Sequence, residues 1–297
     1  MALTTVRPEG MGFNTGRRNL IINGAMQFAQ RGSSHTTEGY GSLDRYYLAL
    51  SGASGVTMSQ QAFSTADRNS LGFEKYLKLV VTTANNNCGV YQYIEASNAV
   101  GLIGKKATLS FYAKGTNPAG GSFTMQPAWY NTSSGGGDNA VAQSLTVTSS
   151  WVKYSFTFDI PAPANTTIDN SAYLSIPFIQ PAGDTSTTAW ELNLAGLQFE
   201  LGSNASDFEH RSVGEELLLC QRYYEHLGLY SGNNGGGTRN DLSSHEFKVQ
   251  KRTTPSLSTF QVTSQNGTNS FAVQSDTNFF LYNGGDFRGI VALDAEL

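Results

Sequence analysis

From Asp44 to Leu201 the chain keeps returning to one pattern, a short run of alternating apolar and polar residues followed by a cluster of turn formers. Period-two alternation sends successive side chains to opposite faces of a strand, so each run predicts a strand with one buried face. Trp151, Lys153, Ser155 and Thr157 oppose Val152, Tyr154, Phe156 and Phe158, and Ala107, Leu109 and Phe111 oppose Thr108, Ser110 and Tyr112. In Val90-Tyr91-Gln92-Tyr93-Ile94-Glu95 the tyrosines share a face with Glu95. Further runs at 44–50, 55–63, 76–83, 121–130, 172–180 and 189–201 read the same way, and Asn19 to Gln30 is expected to be a first strand with a bend at Asn23-Gly24. In the last run Leu194, Gly196, Gln198 and Glu200 are set against Ala195, Leu197, Phe199 and Leu201. Pro161 and Pro163 close the run that ends at Phe158, and Asn131 to Asn139, with three consecutive glycines, is expected to be a mobile loop. About ten short strands with turns between them and no helices interposed describe an all-β fold, a sandwich or jelly roll rather than a parallel sheet. This jelly-roll β-sandwich is expected over residues 19–210.

A helix follows. Ser212-Val213-Gly214-Glu215 has the spacing of a capping box, and Glu215 and Glu216 fall in the first turn, where the helix dipole favours acids. The helix is expected within 211–226 as a clasp between domains. Val213, Leu217, Cys220 and Tyr224 would form one stripe, widened by Leu218 and Gln221. So wide a stripe on so short a helix implies that Leu217, Leu218, Cys220 and Tyr224 pack between the domains or against a neighbouring subunit. Residues 227–240 read as flexible. Strand-like runs at 245–252, 257–263, 270–274, 277–282 and 289–295 make a small C-terminal β domain at 227–297.

The chain of 297 residues is long enough for two units with a substantial core. Charged residues are 14% of it, and the net charge of -4 supplies no basic field to hold a phosphate backbone, which argues against nucleic acid as a partner. No apolar run is long enough to cross a bilayer and no signal-peptide pattern opens the chain, so a soluble, unprocessed protein is expected. Cys88 and Cys220 are read as buried thiols rather than a disulfide. Residues 1–18, glycine-punctuated and bearing Arg7, Arg17 and Arg18, read as an arm that either frays or docks on a partner.

Catalytic patterns are scarce. His35, His210, His226 and His245 include no pair at metal-ligand spacing on one element, so no metal is expected, and no nucleotide or cofactor fingerprint occurs. Carboxylates that a glycosidase could use are Asp44, Glu95, Asp159, Glu191, Glu200, Asp207 and Glu209, each simpler as a turn, cap or surface residue. Asp207-Phe208-Glu209-His210-Arg211 reads as an ion-paired anchoring loop. The chain is therefore expected not to be an enzyme. Aromatics carry more functional weight: Tyr91 and Tyr93 on one strand face, and Trp129 with Tyr130, are candidates for stacking on sugar rings, the competing role being to fill the core. Trp151 reads as a core residue.

Several segments resemble a family of tailed-bacteriophage virion proteins. They are Asn19 to Gln27 with Gln30-Arg31-Gly32, Asp44-Arg45-Tyr46, Gln92 with Ile94-Glu95, Thr108 to Gly115, and Gly196 to Gly202. Phe208 to Arg211, Glu215 to Leu217, Cys220 to Tyr224, Phe247, Val249, Lys251-Arg252, Pro255 and Asp294 to Leu297 extend the likeness over nearly the whole chain. The resemblance implies a carbohydrate-binding-module-like jelly roll in a non-enzymatic structural protein of the phage particle surface, assembled in the host cytoplasm. A tail fibre, spike or receptor-binding component is the first expectation and a capsid decoration protein the alternative, with a glycan depolymerase as the second alternative. Implied partners are further copies of the chain, as a homotrimer, other virion proteins, and host surface polysaccharide. An arm of 18 residues is too short for a shaft and favours a compact tip or a capsid decoration.

Overall fold

Every strand pair described is antiparallel in this structure, a computed structural model that describes residues 17–50, 54–83, 88–118, 121–133, 135–181, 189–231, 241–265, 269–283 and 287–296. Two units meet in sequence at His210 and Arg211. In chain order the first holds β1 (Ser34–His35), β2 (Tyr47–Leu50), β3 (Ser54–Ala62), α1 (Thr65–Leu71), β4 (Lys75–Thr83), β5 (Cys88–Glu95) and α2 (Ala96–Ala99). There follow β6 (Lys106–Thr116), β7 (Phe123–Met125), β8 (Ala128–Asn131), β9 (Gly135–Asn139), β10 (Gln143–Leu145), β11 (Val152–Asp159), β12 (Ala172–Pro181) and β13 (Trp190–Leu201). One sheet runs β1-β3-β4-β13-β6-β11. The other runs β10-β7-β12-β5-β2, with β8 pairing with both β12 and β9. Inward residues of both, among them Leu77, Leu79, Leu109, Phe111, Phe123, Leu174, Ile176 and Leu192, form one buried core. The fold is the expected all-β jelly-roll sandwich, because alternating strands can bury their apolar faces only against a second sheet.

Four local expectations need correction. Residues 19–30 form no strand: side-chain amides replace the ladder. Asn19 Oδ1 accepts from the Ile21 and Phe199 amides, and Gln92 exchanges two 2.8 Å hydrogen bonds with the Ile22 backbone. Asn23, at φ 59°, accepts from the Phe28 amide and donates to the Phe28 and Asp44 carbonyls. Ile21 and Met26 are thereby carried into the core. In β13 the alternation slips one residue between Ala195 and Gln198, so Leu194 and Leu197 both enter the core. Gly196 takes up the slip at φ 58°, and a Cβ there would lie 2.3 Å from the Phe73 ring. Gly135 to Asn139 is strand β9 rather than a loop. Asp138 ties it down by accepting from the Thr166 hydroxyl at 2.7 Å and from Asn165, bonds that hold its carboxyl below the usual range. Finally, α1 lay outside the expectation. It is capped by Ser64 and by Gly72 at φ 79° but buries no residue, so it has no apolar stripe to betray it.

The second unit contains α3 (Val213–Gln221), β14 (Tyr224–Ser231), β15 (Asp241–Glu246), β16 (Ser256–Gln265), β17 (Asn269–Val273), β18 (Asn278–Asn283) and β19 (Phe287–Asp294). Two three-stranded sheets, β14-β19-β16 and β15-β18-β17, enclose a small core that includes Leu229, Phe279, Phe287, Val291 and Leu293. Ser212 caps α3, its hydroxyl accepting from the Glu215 amide. The buried face of α3 is Glu216, Cys220 and Gln221, whereas Val213 and Leu218 are exposed and Leu217 is half-buried. Tyr224 is buried but belongs to β14, not to the helix, and that strand also occupies the start of the segment expected to be flexible; 232–240 lie outside the described residues. Cys220 and Gln221 are buried as the stripe implies, but Glu216 takes a buried place that an apolar stripe does not show, because Arg211 Nη1 donates to both of its oxygens at 3.2 Å. Cys88 and Cys220 are buried thiols, and burial pushes Cys88 up to about 12.

A buried ion pair marks this unit. Lys251 Nζ donates to Glu225 Oε2 and to the Gln221 carbonyl, and both side chains are fully buried. Lys251 also lies 5.3 Å from the Phe247 ring centroid, and burial lowers its pKa despite the carboxylate beside it. Removing one partner leaves a buried charge, whereas removing both does not. Lys251→Met is expected to destabilise the second unit by about 3–5 kcal/mol in denaturant unfolding, and Lys251→Met with Glu225→Leu by much less.

Candidate functional site

Cross-strand register builds the site. In an antiparallel pair, residues directly opposite share a face. On β5 Tyr91, Tyr93 and Glu95 point away from the core while Val90, Gln92 and Ile94 point into it. Opposite them on β12 stand Pro177 against Tyr91, Ser175 against Tyr93 and Tyr173 against Glu95. Tyr130 of β8 opposes Tyr173, and Tyr47 of β2 opposes Tyr91. Five tyrosines from four strands therefore share the solvent-side face of the second sheet.

Their rings form a row. Centroids of Tyr47 and Tyr93 are 5.7 Å apart, those of Tyr93 and Tyr173 4.9 Å, and those of Tyr173 and Tyr130 6.1 Å. Tyr91 lies 6.0 Å from Tyr93, and Tyr40 meets Tyr47 edge-on at 5.2 Å. Such spacing stiffens each ring while leaving it half-exposed. At one end Tyr91 and Tyr130, with Thr124, Gln126, Asn139, Ser175 and Pro177, line a cleft of about 90 Å³. That volume admits a few waters or one projecting group but cannot swallow a drug-sized ligand, so recognition here is by an open shelf with a notch. Burial first, then neighbouring phenols, pushes Tyr91 up to about 12 and raises Tyr93 and Tyr173; burial and the Glu38 carboxylate raise Tyr47. These hydroxyls stay protonated at neutral pH and can both donate and accept.

Of the four aromatics expected to stack on sugars, Tyr91, Tyr93 and Tyr130 lie on this face. Trp129 does not, and that expectation is corrected: it is fully buried, opposite Leu174, with its Nε1 donating to the Pro161 carbonyl at 3.1 Å. Adjacent residues of a strand point opposite ways, so Trp129 and Tyr130 could never share a face. Tyr47 and Tyr173 were missed. Each sits in an alternating run, but which runs become neighbours is set by sheet topology. Trp151, expected in the core, is half-buried against Phe63 and Tyr76, with Lys114 Nζ 5.0 Å from its ring centroid.

Arg7 lies outside the described residues and Arg17 is exposed. Arg18 is committed to its own unit: Nη2 donates to the Asp207 carbonyl at 2.7 Å, its amide donates to Glu209, and Nε is 3.6 Å from Glu200. The Asp207 to His210 loop thus anchors the first described residues, with Phe208 and His210 packed on Phe73. Glu200 accepts from Ser206 and Gln198, and Glu191 is ion-paired with Lys78 at 2.9 Å. Among the described residues no cluster of three or more His, Cys, Asp or Glu could hold a metal, and no helix is long and apolar enough to cross a membrane.

No family model and no curated protein matches the chain. Among solved structures, the enzymatically active domain of bacteriophage CBA120 tailspike protein 4 aligns over 62% of this chain and 21% of its own, at 16% identity and TM-score 0.41. The chain thus spans about a fifth of that protein. A putative sugar-binding protein from Bacteroides thetaiotaomicron aligns over 62% and 100% at 11% identity and TM-score 0.40. A family 11 carbohydrate-binding module from Clostridium thermocellum aligns over 59% and 97% at 14% identity and TM-score 0.34.

The two neighbours on β8 should separate on mutation. Trp129→Ala is expected to cost about 3–5 kcal/mol in denaturant unfolding, and Tyr130→Ala about 1 kcal/mol or less because its ring is half-exposed.

Proposed function

We propose that this protein is a non-enzymatic carbohydrate-binding component of a phage particle's surface, and that its tyrosine face holds polysaccharide on the host envelope. The observation that carries the reading is the row of half-exposed tyrosines beside a notch lined by hydroxyl and amide side chains. Flat apolar rings suit the C–H faces of sugars, and Thr124, Gln126, Asn139 and Ser175 offer donors and acceptors for sugar hydroxyls. Placement on a virion, within a homotrimeric tail spike or receptor-binding tip, rests on the resemblance of the sequence segments above. Hydrolysis would need two carboxylates facing one another across the scissile bond. Among the described residues that line the notch there is no carboxylate, which favours binding over cleavage.

Affinity electrophoresis of the full chain in gels containing host envelope polysaccharide tests this reading. Tyr93→Ala or Tyr130→Ala is expected to weaken retention roughly two- to tenfold, since an aromatic contact is worth about 0.5–1.5 kcal/mol. Because burial pushes Tyr91 up to about 12 and raises Tyr93 and Tyr173, retention should be flat between about pH 6 and pH 9. Unchanged retention of a variant lacking all of Tyr91, Tyr93 and Tyr130 would discard this face as the binding site. Release of new reducing ends from the polysaccharide would discard the non-enzymatic reading.

A further inference from the structure

Resting on the glycan reading above, we infer that the tyrosine face selects a neutral, extended polysaccharide and rejects polymers whose sugars carry carboxylate or sulfate groups. Among the described residues the notch is lined by tyrosine, threonine, glutamine, asparagine, serine and proline, with no cation to pair with an acidic sugar. An anion brought into such a place loses water and gains no counter-charge, which is strongly unfavourable. Two acids belong to the face. Glu95 follows Tyr91 and Tyr93 on the outward side of β5, opposite Tyr173. Glu38 is exposed and accepts from the Tyr47 hydroxyl at 3.1 Å.

Two arginines come near without reversing this. Arg45 is 1% exposed, its Nη2 donating to the Tyr93 carbonyl, so its guanidinium is closed off from a ligand. Arg31 lies over the Tyr40 ring at 5.5 Å, at the end of the row that also carries Glu38. The phenols cannot compensate, because a protonated tyrosine has no positive charge to offer. Repulsion from Glu38 and Glu95 acts over roughly the 8 Å Debye length of physiological salt and is weakened by added salt.

The shape of the row sets the second half of the inference. Tyr47, Tyr93, Tyr173 and Tyr130 lie on β2, β5, β12 and β8, four successive strands. Three strand spacings of about 4.8 Å make a platform roughly 14 Å wide, more than one sugar ring can cover. Several residues of one chain must lie along it to use all the rings, so affinity rises with oligosaccharide length.

The test uses the full chain in affinity electrophoresis against neutral glucans, mannans and galactans, each also supplied with its primary alcohols oxidised to carboxylates. The polymer that retains the protein is expected to lose at least tenfold in affinity on oxidation. That gap should narrow in 1 M salt and in the Glu38→Gln, Glu95→Gln double variant, which separates charge repulsion from simple loss of a hydroxyl contact. The retained polymer's tetrasaccharide should compete at concentrations at least tenfold below its monosaccharide. Equal or tighter retention by an oxidised polymer, a gap that neither salt nor the double variant narrows, or a monosaccharide competing as well as the tetrasaccharide would overturn the inference while the glycan reading stands. No retention by any polymer in either form would overturn the glycan reading and this inference with it.

Discussion

The register of β12 is the constraint on which the first unit turns. This strand pairs with β5, β8 and β7, and its alternation sends Leu174 and Ile176 into the core and Tyr173, Ser175 and Pro177 outward. A slip of one residue would exchange those faces, turning a tyrosine into the core while exposing leucine and isoleucine. Core packing therefore specifies the register, and the register in turn aligns Tyr130, Tyr173, Tyr93, Tyr91 and Tyr47. The candidate site is the outer side of a decision made by the core.

Polar side chains complete what the ladders leave open. Where Asn19 to Gln30 crosses the sandwich, Asn19, Asn23 and Gln92 supply the hydrogen bonds that a strand partner would have supplied. Buried backbone groups need such partners, and amide side chains carry both a donor and an acceptor. Gly196 plays a matching part in β13, absorbing one extra residue so that Leu194 and Leu197 can both reach the core. In the second unit Lys251, Glu225, Arg211 and Glu216 do by charge pairing what apolar residues do elsewhere.

Strands with clean alternation were legible from the residues alone, as in β4, β6 and β11, because successive side chains of a strand point to opposite faces. Elements that depend on something other than apolar periodicity were not. Helix α1 carries its caps, Ser64 and Gly72, but buries nothing; β9 is a run of glycines held by Asp138 and Thr166; and Asn19 to Gln30 alternates like a strand yet pairs through side chains. On α3 the expected stripe held Cys220 and Gln221, which are buried, but also Val213 and Leu218, which are exposed, and it left out the buried Glu216. Composition reports which residues can be buried, not which charges will find partners inside.

By itself, the sequence determined the all-β class, the sandwich, the helix after it, and the shared face of Tyr91, Tyr93 and Glu95. Those follow from period-two alternation and local capping, which act over a few residues. Tertiary structure decided that Trp129 belongs to the core and Tyr130 to the surface, and that Tyr47 and Tyr173, distant in the chain, join Tyr93 in one row. Strand neighbours and their register are set by burying two sheets against one another, a cooperative outcome that no single run of residues encodes.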